Sequence, residues 1–292
     1  MAFWRAPSGP PKGFKDLERW WTTDTVAVVT GANKGIGHEA ARQLAREGLK
    51  VVVAARNPAL GTAAVERIKG EFPEAPVVFR QLDIADPQSV AAFAAWAGEE
   101  LGKIDILLNN AGMAFKGDTW GADECRQTFA VNYYGTKQTT EALLPLIPAG
   151  GRVVTVCSRA GLSSILKTKE NLAKWQAAAA SGDRDAVDPL AEEFLQAVAA
   201  GDYARKGYPQ SMYGMSKLAE ACYTRSLAKR AAEKGVAVSC CCPGYVATDM
   251  SSHRGPKTVE QGADTPVWLC LAPEGAKAGE GLFWGERELV QP

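Results

Sequence analysis

The sequence predicts an α/β fold built on a doubly wound parallel sheet, and two features of the pattern carry this prediction. Six short runs rich in Val, Ile, Leu and Cys recur along the chain with few polar residues, as in strands that are buried on both faces of a parallel sheet. Segments of helical periodicity separate these runs. The six predicted strands are residues 25–30, 50–55, 77–82, 104–108, 152–157 and 236–242.

Three segments predict the main helices of this fold. Between the first two strands, Ile36, Ala40 and Leu44 recur at helical spacing, and Gly48 is placed to end that helix. Two longer helices are predicted at residues 122–146 and 211–234, and a last strand at residues 281–284.

The chain departs from simple alternation at its start and in its second half. Residues 1–23 predict an irregular arm, because Pro and Gly interrupt any period, and we expect Trp20 and Trp21 to dock on the domain. Residues 24–292 are expected to form one domain with a helical insertion at about 166–207. The two insertion helices are predicted at about 169–180 and from Asp188 and Pro189 to near Gly201.

Composition excludes several classes of protein. The chain has 292 residues with 33 basic and 33 acidic side chains, so no net field attracts nucleic acid. No apolar run approaches the roughly 18 residues that a membrane span needs, and the N-terminus lacks the apolar core of a secretory signal. The 7 cysteines contain no pair at zinc-site spacing, which favours reduced thiols. We therefore expect a cytoplasmic protein that binds neither nucleic acid nor membrane.

The two histidines argue against two further classes of enzyme. His38 lies in the predicted first helix and His253 in a polar loop, so neither is placed for a Ser-His-Asp triad. The same scarcity of ligands disfavours a metal enzyme, and we expect no metal site.

A glycine cluster follows the first predicted strand and opens a helix. Gly31, Gly35 and Gly37 would let the backbone approach a pyrophosphate, which free amides and the positive end of the helix dipole stabilise. A tight turn alone would also explain a glycine cluster, but the position after the first strand favours phosphate binding.

The end of the second predicted strand indicates which dinucleotide fits. It carries Arg56 and no carboxylate, and Lys34 in the glycine loop adds a second positive charge. A cation at this point pairs with a ribose 2′-phosphate, so NADP is favoured over NAD. The alternative is that both side chains are solvated loop charges.

Several polar residues fall at the carboxyl edge of the predicted sheet, where this fold places its ligands. Ser158 follows the fifth strand, and a hydroxyl there can hydrogen-bond a substrate carbonyl. Tyr213 and Lys217 share one helix face, and a neighbouring ammonium favours the ionised form of a phenol, which suits acid/base work. A surface Tyr beside a surface Lys remains the alternative reading of that pair. Asn109 to Gly112 and Pro243 to Gly244 follow two other strands at the same edge.

Taken in order, these motifs resemble the short-chain dehydrogenase/reductase family, with its Rossmann-type fold. The Asn33-Lys34 pair, the string Cys241 to Met250 and the long stretch before Tyr213 are most similar to the monomeric NADPH-dependent carbonyl reductases and the plant menthone and salutaridine reductases. In that group the insertion covers the surface through which shorter members assemble. The resemblance therefore implies a monomer that acts on a small carbonyl compound.

The resemblance also implies a role for each site residue. Tyr213 would be the general acid, and Lys217 would lower the pKa of Tyr213 and bind the nicotinamide ribose. Ser158 would orient the carbonyl, and Asn132 would hold a water molecule in the proton relay. The implied NADP(H) contacts are Gly31, Asn33, Lys34, Gly35, Ile36, Gly37, Arg56, Asp83, Ile84, Asn110, Ala111, Gly112, Tyr213, Lys217, Pro243, Gly244, Val246 and Thr248.

The residues around the expected substrate depart from the animal carbonyl reductases. Arg159 and Ala160 replace an apolar pair, and Tyr245 replaces a common Trp; with Met250 they are expected to line the substrate pocket. Arg159 either faces that pocket or points to solvent. Cys242 either borders the pocket as an oxidisable thiol or is a buried strand residue.

The expected function is NADPH-dependent reduction of a ketone, aldehyde or quinone to an alcohol. One alternative is an alcohol dehydrogenase that oxidises a terpenoid or alkaloid alcohol, since the same residues serve both directions. Another is a non-catalytic NADPH sensor, which would have no need of Tyr213 and Lys217 together.

Overall fold

A computed structural model describes residues 19–273 and 279–290, and in this part of the chain eight strands form one sheet in the order β3-β2-β1-β4-β5-β6-β7-β8. The first seven strands are parallel, and β8 pairs antiparallel with β7. The strands are β1 Val26–Thr30, β2 Lys50–Ala55, β3 Val77–Gln81, β4 Ile106–Asn109, β5 Arg152–Val156, β6 Ala237–Cys242, β7 Glu280–Gly285 and β8 Glu288–Leu289.

Helices cover both faces of this sheet, as predicted for a doubly wound fold. Helices α1, α2 and α9 pack on one face, and α3 to α8 pack on the other. The helices are α1 Gly35–Arg46, α2 Pro58–Glu71, α3 Pro87–Glu100, α4 Ala122–Phe129, α5 Thr136–Leu143, α6 Lys169–Ser181, α7 Asp188–Ala199, α8 Met212–Ala232 and α9 Val259–Leu271.

The central strands are buried on both faces, which explains their nearly continuous apolar sequence. In β1, Val28 packs into the core on one side of the sheet and Val29 into the core on the other, and neither is exposed to solvent. Val28 pairs with Val52 of β2 and Leu107 of β4. Each of the predicted strands is confirmed, with ends that shift by one or two residues.

The strand order reverses at β1, which lies between β2 and β4. The loops that leave β1 and β4 at their carboxyl ends therefore diverge to opposite sides of the sheet and leave a crevice between them. The turn after β1 and the loop after β4 form the walls of this crevice, and the loops after β5 and β6 extend the same edge.

The helix predicted at residues 122–146 is continuous but not uniform. A π-helical turn, Ala130–Gly135, separates α4 from α5, and a 3-10 turn ends the segment at Leu144–Leu146. A Cβ on Gly135 would lie 2.8 Å from the carbonyl oxygen of Ile84, so a glycine lets this turn pack against the loop after β3. The sequence predicts one helix here and not the π turn, which is a rare feature that occurs as a single turn inside α-helices.

Helix α9, which contains Pro266 in its interior, is not among the helices predicted from the sequence. Proline removes one backbone hydrogen bond from a helix and usually ends it. Here a capping box between Thr258 and Gln261 begins the helix, and Val267 and Trp268 are buried in the core beneath it. The burial of this apolar face outweighs the loss at Pro266.

The described end of the arm is docked on the domain, as the sequence predicts for Trp20 and Trp21. Trp21 is 5% exposed, and Trp20 Nε1 donates a hydrogen bond to the carbonyl oxygen of Leu271 at 3.3 Å. The Arg152 guanidinium stacks on the Trp20 ring at 3.8 Å from its centroid. The rest of the arm, residues 1–18, lies outside the described residues.

The insertion helices α6 and α7 pack against α8 and α4, and a polar cluster anchors them. Lys137 of α5 is 9% exposed, and its Nζ lies 2.7 Å from Asp185 Oδ1 and 2.6 Å from Asp188 Oδ2. The Tyr133 hydroxyl donates to the other oxygen of Asp188 at 2.6 Å. The Asp-Pro sequence predicts Asp188 as the N-cap of α7, but Val187 holds that position and Asp188 is the first residue of the helix.

We expect Lys137→Met to lower the free energy of unfolding by about 1–3 kcal/mol, because it leaves the carboxylate of Asp188 without its cation in a partly buried site. Urea denaturation followed by circular dichroism measures this change. Lys174→Met is the matched control on the same insertion, since Lys174 pairs with Glu170 in an exposed ion pair. If both variants unfold at the wild-type midpoint, Lys137 does not anchor the insertion.

Candidate active site

The turn after β1 leaves the N-terminus of α1 open to a ligand. Gly31 and Gly35 adopt left-handed φ angles of 64° and 58°, which other residues rarely adopt. A Cβ on Gly31 would lie 2.8 Å from the Cα of Ala111, so only glycine allows the two loops to meet. No side chain in the described part of the chain caps α1, and its first turn carries no acidic residue. The free backbone amides at the N-terminus of α1 can therefore bind the phosphates of a dinucleotide.

Hydrogen bonds tie the loop after β4 to this glycine turn. The backbone amides of Asn110 and Ala111 both donate to the Thr30 hydroxyl at 3.0 Å. The side-chain amide of Asn110 donates to the Thr30 carbonyl oxygen at 2.9 Å. Asn110, Ala111 and Gly112 therefore form one rigid wall of the crevice, as the sequence predicts from their position.

Asn132 connects this wall to helix α8 from within the π-helical turn. It is fully buried, and its Oδ1 accepts from the backbone amide of Met113 at 2.7 Å. Its Nδ2 donates to the Met113 carbonyl oxygen at 2.9 Å and to the Ser216 hydroxyl at 3.0 Å. The side-chain amide thus fixes the loop after β4 relative to the helix that carries Tyr213 and Lys217.

Tyr213, Lys217 and Ser158 come together at the carboxyl edge of the sheet. Lys217 is 4% exposed, and its Nζ lies 6.0 Å from the centroid of the Tyr213 ring. Nζ donates to the Val156 carbonyl oxygen at 2.9 Å and to Glu220 Oε2 at 2.7 Å. The Ser158 hydroxyl accepts a hydrogen bond from the backbone amide of Ala160 at 3.1 Å and lies close enough to Tyr213 to lower its pKa. The alternative of an exposed Tyr–Lys pair is excluded by this burial.

The surroundings of Tyr213 and Lys217 set their charge states. Burial raises the pKa of Tyr213 above its ordinary value, and the ammonium of Lys217 and the hydroxyl of Ser158 oppose part of that rise. Burial alone would lower the pKa of Lys217, but the Glu220 carboxylate raises it above its ordinary value. At neutral pH, Tyr213 therefore carries its proton and Lys217 is charged.

A lysine and two arginines lie near the glycine turn on the side of β2. Arg56 follows β2, and its carbonyl oxygen accepts a hydrogen bond from Gln81. Arg67 of α2 donates to the carbonyl oxygen of Asn33 at 3.0 Å. Lys34 lies 2.7 Å from Asp249, in the loop after β6, so its ammonium spans the two sides of the crevice.

The sequence does not predict that Arg67 lies beside the glycine turn. The position of Arg67 in the middle of a helix carries no local signal, and only the packing of α2 beside the glycine turn brings it to Asn33.

The loops after β3 and β6 place the remaining predicted cofactor residues at the same edge. Ile84 is 7% exposed, and Asp83 accepts a hydrogen bond from the amide of Ala85. A Cβ on Gly35 would lie 3.5 Å from the methyl group of Thr248, which places this threonine against the glycine turn. Ile36, at the start of α1, lies beside Gly262, and Pro243, Gly244 and Val246 come directly after β6.

The residues predicted to line the substrate pocket differ in their surroundings. Tyr245 and Met250 are large apolar side chains that remain 54% and 45% exposed in the loop after β6. Arg159 and Ala160 are also exposed, and the Arg159 guanidinium lies 3.1 Å from the position of a Cβ on Gly285. Cys242 is 6% exposed, and its Sγ accepts from the amide of Gly244 at 3.4 Å.

The described residues contain neither a cluster of metal ligands nor a membrane-spanning helix. All 7 cysteines lie in that part of the chain, and each is free and buried. Across residues 19–273 and 279–290, no cluster of His, Cys, Asp and Glu side chains is arranged to hold a metal ion. The helices in these ranges are too short or too polar to cross a membrane.

Comparison with known proteins agrees with this geometry. The family described as short chain dehydrogenase matches residues 25–169 and 198–258. Carbonyl reductase [NADPH] 3 of Mus musculus is 39% identical over 263 residues, which cover 88% of this chain and 94% of the relative. Carbonyl reductase [NADPH] 1 of Bos taurus is 36% identical, with 92% and 99% covered.

Two plant enzymes of known structure share the whole architecture. Salutaridine reductase from Papaver somniferum superposes with a TM-score of 0.81 at 30% identity and covers 90% of this chain and 99% of its own. Menthone neomenthol reductase from Mentha piperita gives a TM-score of 0.77 at 29% identity, with the same coverage. The fold and the site define a dinucleotide-binding α/β oxidoreductase. The chain belongs to the short-chain dehydrogenase family.

Proposed function

We propose that this protein is an NADPH-dependent carbonyl reductase that converts a ketone, aldehyde or quinone to an alcohol. The observation that carries the proposal is the arrangement of Ser158 and Tyr213 around the buried ammonium of Lys217, beside the open N-terminus of α1. The names of the relatives from Mus musculus and Bos taurus support the same activity.

The residues that would hold NADP(H) surround the crevice between the loops after β1 and β4. The free amides of the glycine turn suit the pyrophosphate, and Arg56 and Arg67 with Asn33 suit the ribose 2′-phosphate. Lys34 can join them by leaving Asp249, since both side chains of that pair are more than half exposed. When bound, the cofactor supplies the hydride that reduces the carbonyl carbon.

The residues of the chain itself supply position and a proton. The Ser158 hydroxyl donates to the carbonyl oxygen and holds it beside the Tyr213 hydroxyl. As negative charge develops on that oxygen, the Tyr213 hydroxyl gives up its proton to it, which completes the alcohol and leaves a tyrosinate. The ammonium of Lys217 stabilises the tyrosinate, and Asn132 keeps α8 in register with the loop after β4.

The charge state of the site suits the reduction of a carbonyl at neutral pH, while the same residues would also serve the oxidation of a terpenoid or alkaloid alcohol. A reductase needs Tyr213 protonated at the start of the reaction, whereas a dehydrogenase needs the tyrosinate. Burial raises the pKa of Tyr213, so the proton donor is the resting form. A sensor that only bound NADPH would not require this arrangement.

The substrate that fits the mouth of the site is small and largely apolar. Tyr245 and Met250 present exposed apolar surface in the loop after β6, next to the edge where Ser158 lies. Arg159 is exposed and lies beside Gly285, at the end of β7.

We also propose that the protein is a cytoplasmic monomer. Helices α6 and α7 cover α8 and α4, the surface through which shorter family members are expected to assemble, and the free buried cysteines suit a reducing compartment. Sedimentation velocity should give a single species of about 31.1 kDa. A stable dimer or tetramer would contradict the monomer.

The reductase assignment is tested by the loss of NADPH absorbance with menadione, an aromatic aldehyde and a cyclic terpenoid ketone. We expect turnover with at least one of these compounds, and Tyr213→Phe should lower kcat by at least about 100-fold, because the proton donor is lost. NADPH affinity should stay within about twofold of wild type. Tyr203→Phe, which alters a tyrosine of the insertion, is the matched control. Tight NADPH binding without turnover would favour the sensor.

The preference for NADPH is tested at the two arginines. Arg56→Asp and Arg67→Met should each weaken NADPH binding by about tenfold or more and NADH binding far less, because only NADPH carries the 2′-phosphate. Fluorescence titration of both nucleotides measures the two affinities. Arg46→Asp, at the opposite end of α1, is the control. Equal losses for the two nucleotides would remove either arginine from the 2′-phosphate site.

A further inference from the structure

A buried carboxylate lies directly behind the ammonium of Lys217 and takes no part in the reaction proposed above. Glu220 is on α8, one helical turn after Lys217, and is 1% exposed. Its Oε2 lies 2.7 Å from Lys217 Nζ. Burying a carboxylate costs free energy unless it is paired and hydrogen-bonded. Lys217 provides that pairing, and the question is what the carboxylate does for the reacting groups.

Side chains of α8 and α5 hold this carboxylate in place. Lys217 binds Oε2 from α8, and the Thr136 hydroxyl at the start of α5 donates to Oε1 at 3.2 Å. Both oxygens are therefore engaged, and the carboxylate cannot turn away from Lys217 without losing these contacts. Burial raises the pKa of the Cys157 thiol, directly after β5, and the charge of Glu220 raises it further.

The pair also fixes where the ammonium points. Two of the three N–H donors of Lys217 are used by the Val156 carbonyl oxygen and by Glu220. A Cβ on Gly112 would lie 3.5 Å from Nζ, so the absence of a side chain leaves room beside the ammonium. One donor thus remains for the tyrosinate or for a ribose hydroxyl.

The negative charge of Glu220 also acts on Tyr213. A lone ammonium would favour the tyrosinate strongly, and a carboxylate bound to that ammonium cancels part of its effect. Glu220 accordingly raises the pKa of Tyr213. The other groups that face Tyr213 are Lys217, the Ser158 hydroxyl and the thiol of Cys242. The thiol of Cys157 completes the titratable groups around the pair.

We propose that Glu220 is a positioning residue which, as the buried counter-ion of Lys217, orients the ammonium and keeps Tyr213 in its proton-donating form. This inference rests on the proposed function, because it concerns the direction in which Tyr213 transfers its proton. It adds to that function a counter-ion that extends to higher pH the range in which Tyr213 can donate its proton.

The test compares wild type with Glu220→Gln, which keeps the size and hydrogen bonding of the side chain but removes its charge. Without that negative charge the tyrosinate is more stable, so the pKa of Tyr213 falls. Reduction requires protonated Tyr213 and is lost as pH rises through that pKa. We therefore expect the alkaline limb of kcat for reduction to move to lower pH by about one unit.

A second readout does not depend on turnover. Alkaline titration of tyrosinate absorbance, with each protein compared to the same protein carrying Tyr213→Phe, isolates the ionisation of Tyr213. The same shift to lower pH is expected in Glu220→Gln. A purely structural role for Glu220 would lower kcat at every pH without moving either curve.

Two further variants control for folding and for charge. Glu220→Asp retains the charge and should keep both curves near their wild-type positions even where kcat falls. Glu141→Gln removes a carboxylate that pairs instead with Arg230 and Tyr223, and should leave both curves unchanged. Thermal melting and NADPH affinity establish that each variant is folded.

The outcomes separate this inference from the proposed function. If wild type reduces no carbonyl but the titration of Tyr213 shifts in Glu220→Gln, the reductase assignment fails and the counter-ion role stands. If wild type is an active reductase and neither curve moves, or either moves to higher pH, the role of Glu220 is overturned.

Discussion

The parallel pairing of β4 with β1 on one side and β5 on the other is the constraint on which the rest of the protein depends. Parallel strands end at the same edge of a sheet. The strand pairing alone therefore brings together the glycine turn after β1, the Asn110 loop after β4 and Ser158 after β5. The hydrogen bonds from Asn110 and Ala111 to Thr30 then lock the first two of these loops. A crevice with one amide-lined wall is the consequence.

Helix α8 brings the reacting side chains to this edge because it is held on every side. It packs on β6 and β7, on the insertion helix α6 and on the 3-10 turn after Ser158. Gly161 lies so close to the backbone of Lys217 that a Cβ there would stand 2.5 Å from its carbonyl carbon. Such packing excludes water from Lys217 and Glu220, and in a dry site each charge acts more strongly on Tyr213 than it would at the surface.

The insertion shows how a segment that contributes no reacting group still supports the site. The ion pairs of Lys137 with Asp185 and Asp188 fasten the insertion to α5, and Trp175 of α6 is buried in the core beside α8. At the other end of the sheet, Trp20 and Arg152 close the base of the domain in the same way. In both places, partly buried polar contacts fix segments outside the sheet, namely the insertion and the end of the N-terminal arm.

The sequence by itself determined the seven parallel strands, the doubly wound fold class, the glycine turn and the Tyr213–Lys217 pair, because each follows from a local pattern. Burial on both faces is visible in six apolar runs, and a spacing of four places two side chains on one helix face. The tertiary structure alone decided the contact of Arg67 with Asn33 and the contacts of Glu220 with Thr136 and Cys157. It also decided the π turn that carries Asn132 and the helix that contains Pro266. These features depend on which elements pack together, and residues far apart in the chain leave no local trace of the contacts they will make.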